Sequence, residues 1–251
     1  MSAAYDTYDY PSYWKGREYE HRAEVIAIKS FLERIPKVGT ILEVGAGFGR
    51  LVSSYAHRAK KIVLEDPSSK LLKLAKSRLP NSNIKTLHLS LENLPRRLKK
   101  ETIDLAIIVR VLHHVQSIDK TFSIISRILK KNGYLILEFA NKRHLKATFL
   151  ELFKGNLTYL FDILPRDRRS LSLKKKKTLP FINYHPDLIK DKLKSYGFKI
   201  IDKRSVSNVR SSFIKNNFPS DILLGVEKVL QRPLAHINFG PSIFILAKKK
   251  G

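Results

Sequence analysis

The residues with the clearest chemical meaning are three alternating glycines, Gly45, Gly47 and Gly49, in the run Ile41-Leu42-Glu43-Val44-Gly45-Ala46-Gly47-Phe48-Gly49-Arg50-Leu51. A strand that ends in glycines and leads into a helix lets the backbone approach a ligand closely, because no Cβ intervenes and φ can be positive. A nucleoside cofactor can then lie across the strand ends. The dinucleotide fingerprint places glycine at the first, third and sixth positions, seating a pyrophosphate on the helix amino terminus. Here the sixth position is Arg50, which breaks that fingerprint and makes a nicotinamide oxidoreductase the least favoured reading. Glu43 stands two residues before the first glycine, where a carboxylate repels a pyrophosphate but suits a cation such as the ammonium of a methionine moiety.

Other candidates follow in chain order. Glu65 and Asp66 lie about twenty residues past the glycines, where an acidic side chain can accept both hydroxyls of a ribose. His113 and His114 are the ionisable pair able to act as a general base, or else they support their loop. No metal site is expected, since adjacent histidines rarely bind one ion and no third ligand is evident. Upstream, Tyr13-Trp14-Lys15-Gly16-Arg17 packs aromatics beside an arginine. Downstream, Phe149 to Phe161 is apolar and aromatic, and Lys174 to Lys177 joins Arg166, Arg168 and Arg169 in a basic run. The first reads as core, a lid or a membrane-surface helix, and the second as a solvated loop or a grip on phosphate.

These residues need a frame. From Thr40 onward short β-branched runs alternate with helical patterns, which is the signature of βαβ units and a parallel sheet. The expected strands are Thr40 to Val44, Lys61 to Glu65, Ile84 to Leu89, Ile103 to Val109, Gly133 to Phe139, Phe198 to Arg204 and Ser242 to Ala247. A helix from Tyr19 to Ile35, stopped by Pro36, precedes them, and another runs from Pro186 to Tyr196 with Gly197 as its cap. The alternation breaks at 141–184 and again at 211–240. Connections of that length inside one domain are usually functional.

At this point the residues resemble the class I S-adenosylmethionine-dependent methyltransferase family, whose first motif is an acidic residue, any residue, then Gly-x-Gly-x-Gly. Leu64-Glu65-Asp66-Pro67-Ser68 resembles its second strand end, Ser90-Leu91-Glu92 its adenine loop with Ser90 in the usual aspartate's place, and Asp104 to Val115 its fourth motif. Arg127 to Glu138 is similar to the helix, turn and fifth strand that follow. The resemblance implies S-adenosylmethionine as cofactor, held by Glu43, Gly45, Ala46, Gly47, Gly49, Asp66 with Glu65 as its understudy, Ser90, Leu91, Glu92 and Arg110. Tyr13 and Arg17 would fold over it. It also implies an α/β, Rossmann-like fold: a seven-stranded, mostly parallel sheet with flanking helices, the last strand antiparallel at one edge, and helical insertions after strands five and six. The variant resembles the small-molecule and quinone-type members. The expected organisation is one domain over 1–251, with 1–39 covering the cofactor, 40–140 binding it, and 141–184 and 211–240 forming the acceptor site.

Composition narrows the classes further. The chain has 251 residues, 43% of them hydrophobic, and no cysteine, so disulfides, thiolate zinc sites and cysteine nucleophiles are excluded. Neither a secretory signal nor an apolar run of roughly eighteen residues is seen, and the expected location is the cytoplasm. The formal charge of +26 draws the protein towards nucleic acid, anionic membrane or acidic substrates, and it leans to residues 141–251, with 24 Lys and Arg against 8 Asp and Glu. The expected acceptor is small or lipid-like. An RNA or ribosome methyltransferase and a non-catalytic nucleoside-binding scaffold are the rivals.

Overall fold

A computed structural model describes residues 9–79, 83–175 and 178–251. The apolar runs become parallel strands, and their central parts, except in the edge strand β3, are buried on both faces, which is why they lack the polar alternation of a half-exposed sheet. They are β1 (Val38–Val44), β2 (Ala59–Asp66), β3 (Ile84–His88), β4 (Ile103–Ile108) and β5 (Leu129–Ala140). Two short strands, β6 (Arg166–Asp167) and β7 (Ile182–Asn183), pair with each other, while β8 (Phe198–Val206) and β9 (Ser242–Lys249) return to the main sheet. Its order is β3-β2-β1-β4-β5-β9-β8.

The last strand is antiparallel to both neighbours, as the resemblance implies, but it is not at the edge. It lies between β5 and β8, and β8 holds the edge. The residues explain the exchange. Ile243 to Ala247 is a continuous apolar run, all buried, whereas β8 carries Lys199, Asp202, Lys203 and Arg204, the charges that keep an edge strand from pairing with other chains. β5 also starts four residues before the expected Gly133. Lys130-Lys131-Asn132 reads as a turn because it is polar and exposed, and Asn132 does take a left-handed φ of 61° within the strand.

Helices cover both faces. α1 (Tyr10–Tyr13) leads into α2 (Glu18–Leu32), which packs with α3 (Val52–Tyr55) and α4 (Ser69–Arg78) over one face through Phe31, Tyr55 and Leu72. α5 (Ile118–Ile128) covers the other face through Phe122 and Ile125. Then come α6 (Leu145–Phe153), α7 (Leu171–Lys175), α8 (Pro186–Ser195), α9 (Ser212–Asn217) and α10 (Ser220–His236). Of these α8 joins α5, and α10 joins α2.

Both long insertions leave the carboxyl ends of their strands, the first after β5 and the second after β8. Asn141 ties their roots together: its backbone N–H donates to Pro241, and its buried side-chain amide donates to the carbonyls of Asn238 and Gly240, each at 2.7 Å. The Leu145 N–H reaches the Phe239 carbonyl at 2.9 Å.

Candidate functional site

The carboxyl ends of β1, β2 and β4 meet where the strand order reverses direction, and a cavity of about 670 Å³ opens there. Its size suits a nucleoside-sized ligand. The glycine turn forms its floor. Gly45 takes φ 64°, and a Cβ on it would meet Val111 Cγ2 at 2.3 Å, so both conformation and space require glycine. Gly47 takes φ 56° beneath the Tyr10 ring, 3.6 Å from where a Cβ would stand. Ala46, Gly49 and Glu43 lie behind this surface. Ala46 donates its N–H to the Glu65 carbonyl at 2.8 Å.

Glu43 does not face the main cavity. It is buried under the turn and accepts the Tyr55 hydroxyl, and burial pushes its carboxyl up to about 7. The two carboxylates at the end of β2 do line the cavity. Asp66 accepts from the Gly47 N–H at 2.8 Å and the Ser68 N–H at 2.7 Å. Glu65 accepts from the Gly45 N–H at 3.2 Å through Oε2, while its buried Oε1 has no hydrogen-bond partner. Burial and then neighbouring Asp66 push the Glu65 carboxyl well up. An orphaned acceptor at the strand end is what a ribose hydroxyl would satisfy. Ser90, Leu91 and Glu92 form the next wall, at the start of a 3-10 turn over Leu91–Arg96.

Arg110 closes the far side. Its backbone takes φ 58°, unusual for a residue with a side chain, and is held there by an N–H to Glu138 bond of 2.8 Å. Its side chain donates to Glu24 Oε1 at 2.6 Å, and Arg50 donates to Glu24 Oε2 at the same distance. Trp14 lies against both guanidinium groups, 3.6 Å from Arg50 and 5.0 Å from Arg110. Burial alone would raise the Glu24 carboxyl, but Arg110 and Arg50 more than reverse it and hold it below the ordinary range. This fully buried carboxylate fastens α2 to the turn after β1 and to the loop after β4.

His114 lines the cavity, and His113 packs behind it. The His114 Nδ1 is 2.6 Å from the Pro180 carbonyl, which can only accept, so Nδ1 carries the proton and Nε2 is the basic nitrogen of the neutral ring. Burial pushes its pKa down and keeps that ring neutral. His113 packs at a tilt against both His114 and Phe181, with centroids 4.0 and 4.6 Å away, and burial and then His114 hold it well below the ordinary range.

Tyr13 and Arg17 pair with each other, 4.2 Å from guanidinium to ring, and do not line the cavity. Tyr10, one helical turn earlier, does. Sequence reasoning also passed over Leu71, Val111, Gln116 and Leu179 in the walls, and Glu24 behind them. No local pattern marks Glu24 among the acids of α2. Of the basic run, Lys176 and Lys177 lie outside the described residues.

Comparison with known proteins supplies an independent line. Residues 42–137 match the model of a methyltransferase domain family. Over 192 residues the chain is 29% identical to a ubiquinone/menaquinone biosynthesis C-methyltransferase of Campylobacter jejuni, covering 69% of this chain and 77% of that one. It is 27% identical over 147 residues to a demethylmenaquinone methyltransferase of Chlamydia pneumoniae, covering 57% and 61% respectively. In fold it resembles an S-adenosylmethionine-dependent methyltransferase of Mesorhizobium loti, with TM-score 0.62, 18% identity and coverage of 90% and 98%. A glycine cradle at the strand ends, an orphaned carboxylate oxygen beside it and the matched family model lead to one conclusion: residues 42–137 are a methyltransferase domain, set in a chain with the fold of the S-adenosylmethionine-dependent methyltransferases.

Proposed function

We propose that this methyltransferase alkylates a carbon atom of a small, lipid-like acceptor of the quinol type. The observation that carries the reading is that Val111, Val115 and Leu179 present apolar surface in the same cavity as the neutral imidazole of His114. That arrangement suits an apolar, hydroxyl-bearing aromatic acceptor. The curated relatives named for quinone methylation support the same class.

The cofactor supplies an electrophilic methyl group; the chain supplies position, dryness and a base. In this reading Glu65 and Asp66 hold the ribose, Gly45 and Gly47 let the backbone close on the nucleoside, Ser90 to Glu92 border the adenine, and Tyr10 covers the turn. His114 Nε2 takes the proton of the acceptor hydroxyl, which raises electron density on the ring carbon to be alkylated. The neutral tautomer held by Pro180 is the form able to do this. Residues 1–39, of which 1–8 lie outside the described residues, cover the cofactor, 141–184 and 211–240 hold the acceptor, and the basic carboxyl-terminal part meets anionic phosphate of a membrane or of nucleic acid. The chemistry belongs to the cytoplasm.

The test is methyl transfer from S-adenosylmethionine to a short-chain demethylated naphthoquinol, followed by mass spectrometry. Product formation that falls about 100-fold in His114→Asn, with cofactor affinity kept, supports the reading. Cofactor binding without transfer to any quinol, in the wild type, removes the quinol acceptor and leaves only the methyltransferase family.

A further inference from the structure

Among the described residues, twelve of the twenty exposed large apolar side chains lie in the insertion after β5, which is also a strongly basic segment. On α6 and the turn beyond it Phe149 is 67% exposed, Phe153 85%, Leu157 71% and Phe161 81%, and α7 adds Leu171 at 78%. Apolar side chains this exposed, grouped on one segment, mark a contact surface. Residues 141–184 hold 11 Lys and Arg against 3 Asp and Glu. Each of those three carboxylates is already paired within the segment: Glu151 with Arg166 at 3.0 Å, Asp162 with Lys142 at 2.6 Å and Asp167 with Arg169 at 2.7 Å. The exposed remainder, including Lys146 and Lys175, is a cationic fringe around the apolar groups.

The segment is also anchored. Lys142, buried to 1% exposure, donates to the carbonyls of Asp162 and Leu164 as well as to the Asp162 carboxylate, which fixes the end of the apolar stretch against β5. Farther along, Leu179 enters the cavity wall, and the Pro180 carbonyl holds His114. One connected piece of chain therefore carries the apolar surface, the cations and the mouth of the site.

We propose that α6 through α7 is a docking surface for an anionic lipid bilayer, lying in its interface with the phenylalanines and leucines in the acyl boundary and the lysines at the phosphates. Charge complementarity selects this occupant: a second copy of the chain would oppose cation to cation, and a neutral apolar partner would leave the fringe unmatched. Nucleic acid would match the cations but leave aliphatic Leu157 and Leu171 in water. This deepens the reading of a lipid-like acceptor and rests on the surface itself rather than on the reaction.

The experiment is co-sedimentation of the full chain with vesicles of phosphatidylcholine alone or with one quarter phosphatidylglycerol, without cofactor or acceptor, so that its outcome is separate from that of the quinol assay. The expected result is partition onto the anionic vesicles, lowered about tenfold by 0.5 M salt and about tenfold in the double variant Phe153→Ser, Phe161→Ser. Both side chains lie outside the cavity, so S-adenosylmethionine affinity should be unchanged and reports that the variant is folded. Three results overturn the proposal: no binding to anionic vesicles, binding that the double variant leaves intact, or salt-sensitive retention of RNA with no retention of lipid.

Discussion

Helices α5 and α6 are made of similar material and end in opposite places. Both are rich in Phe, Leu or Ile, yet α5 buries Phe122, Ile125 and Ile128 completely, while α6 buries nothing. The difference is what faces them. α5 lies over the sheet beside α8, where an apolar stripe three and four residues apart has a surface to meet. α6 springs from the carboxyl edge, beyond the last paired residues of β5, and packs with the short turn over Leu157–Leu160. An apolar helix is thus core where it lies over the main sheet and surface where it leaves it, and the acids of the first insertion contrast with those of the sheet in the same way. Glu24, Glu43, Glu65 and Glu138 are buried, as is Glu227 of α10, whereas Glu151, Asp162 and Asp167 of the insertion after β5 are partly exposed.

The contrast can be broken in order of size. Phe122→Ala should cost about 3 to 5 kcal/mol through the cavity it leaves, read as the shift of the urea midpoint at constant slope. Glu24→Gln should cost about 3 kcal/mol, because Arg50 and Arg110 lose a fully desolvated counterion. Cofactor affinity would fall with it, and an unchanged melting temperature would mean that the two arginines find another partner.

Glu43 brings in pH. Its folded carboxyl titrates near 7 against 4.5 ordinarily, so folding takes up a proton between those values and stability falls as pH rises from 4.5 to 7. At pH 8 the folded state carries a buried charge that costs up to about 3 kcal/mol. Glu43→Gln should therefore match the wild type near pH 4.5 and exceed it above pH 7, and parallel melting curves from pH 4.5 to 8 would refute the assignment. The smallest effect belongs to the open helix: Phe153→Ala should stay within about 0.5 kcal/mol of the wild type. A loss as large as that of Phe122→Ala would show that α6 is covered in solution.

The same division decides what could be read before the structure. Up to Ala140 the strand periodicity, the glycine turn and the acidic strand end were legible, because each follows from local backbone demands. Even there Glu24 was not, since its meaning comes from two arginines that converge only in three dimensions. Tyr10 was overlooked in favour of Tyr13 because composition does not say which face of a four-residue helix looks inward. Past Ala140 the apolar stripe of α6 was visible but its exposure was not, because burial depends on what stands opposite. The exchange of β8 and β9 was hidden likewise: strand order is a property of partners.

That exchange bears on how the molecule is made. Synthesis delivers β8 before β9, yet β8 touches the main sheet only through β9. While α9 and α10 are still emerging, β5 presents an unpaired apolar flank and β8 has no neighbour in the sheet to join. The nascent chain therefore passes through a stage with two open strand edges, the condition in which newborn proteins are most prone to pair with the wrong partner and in which chaperones are needed.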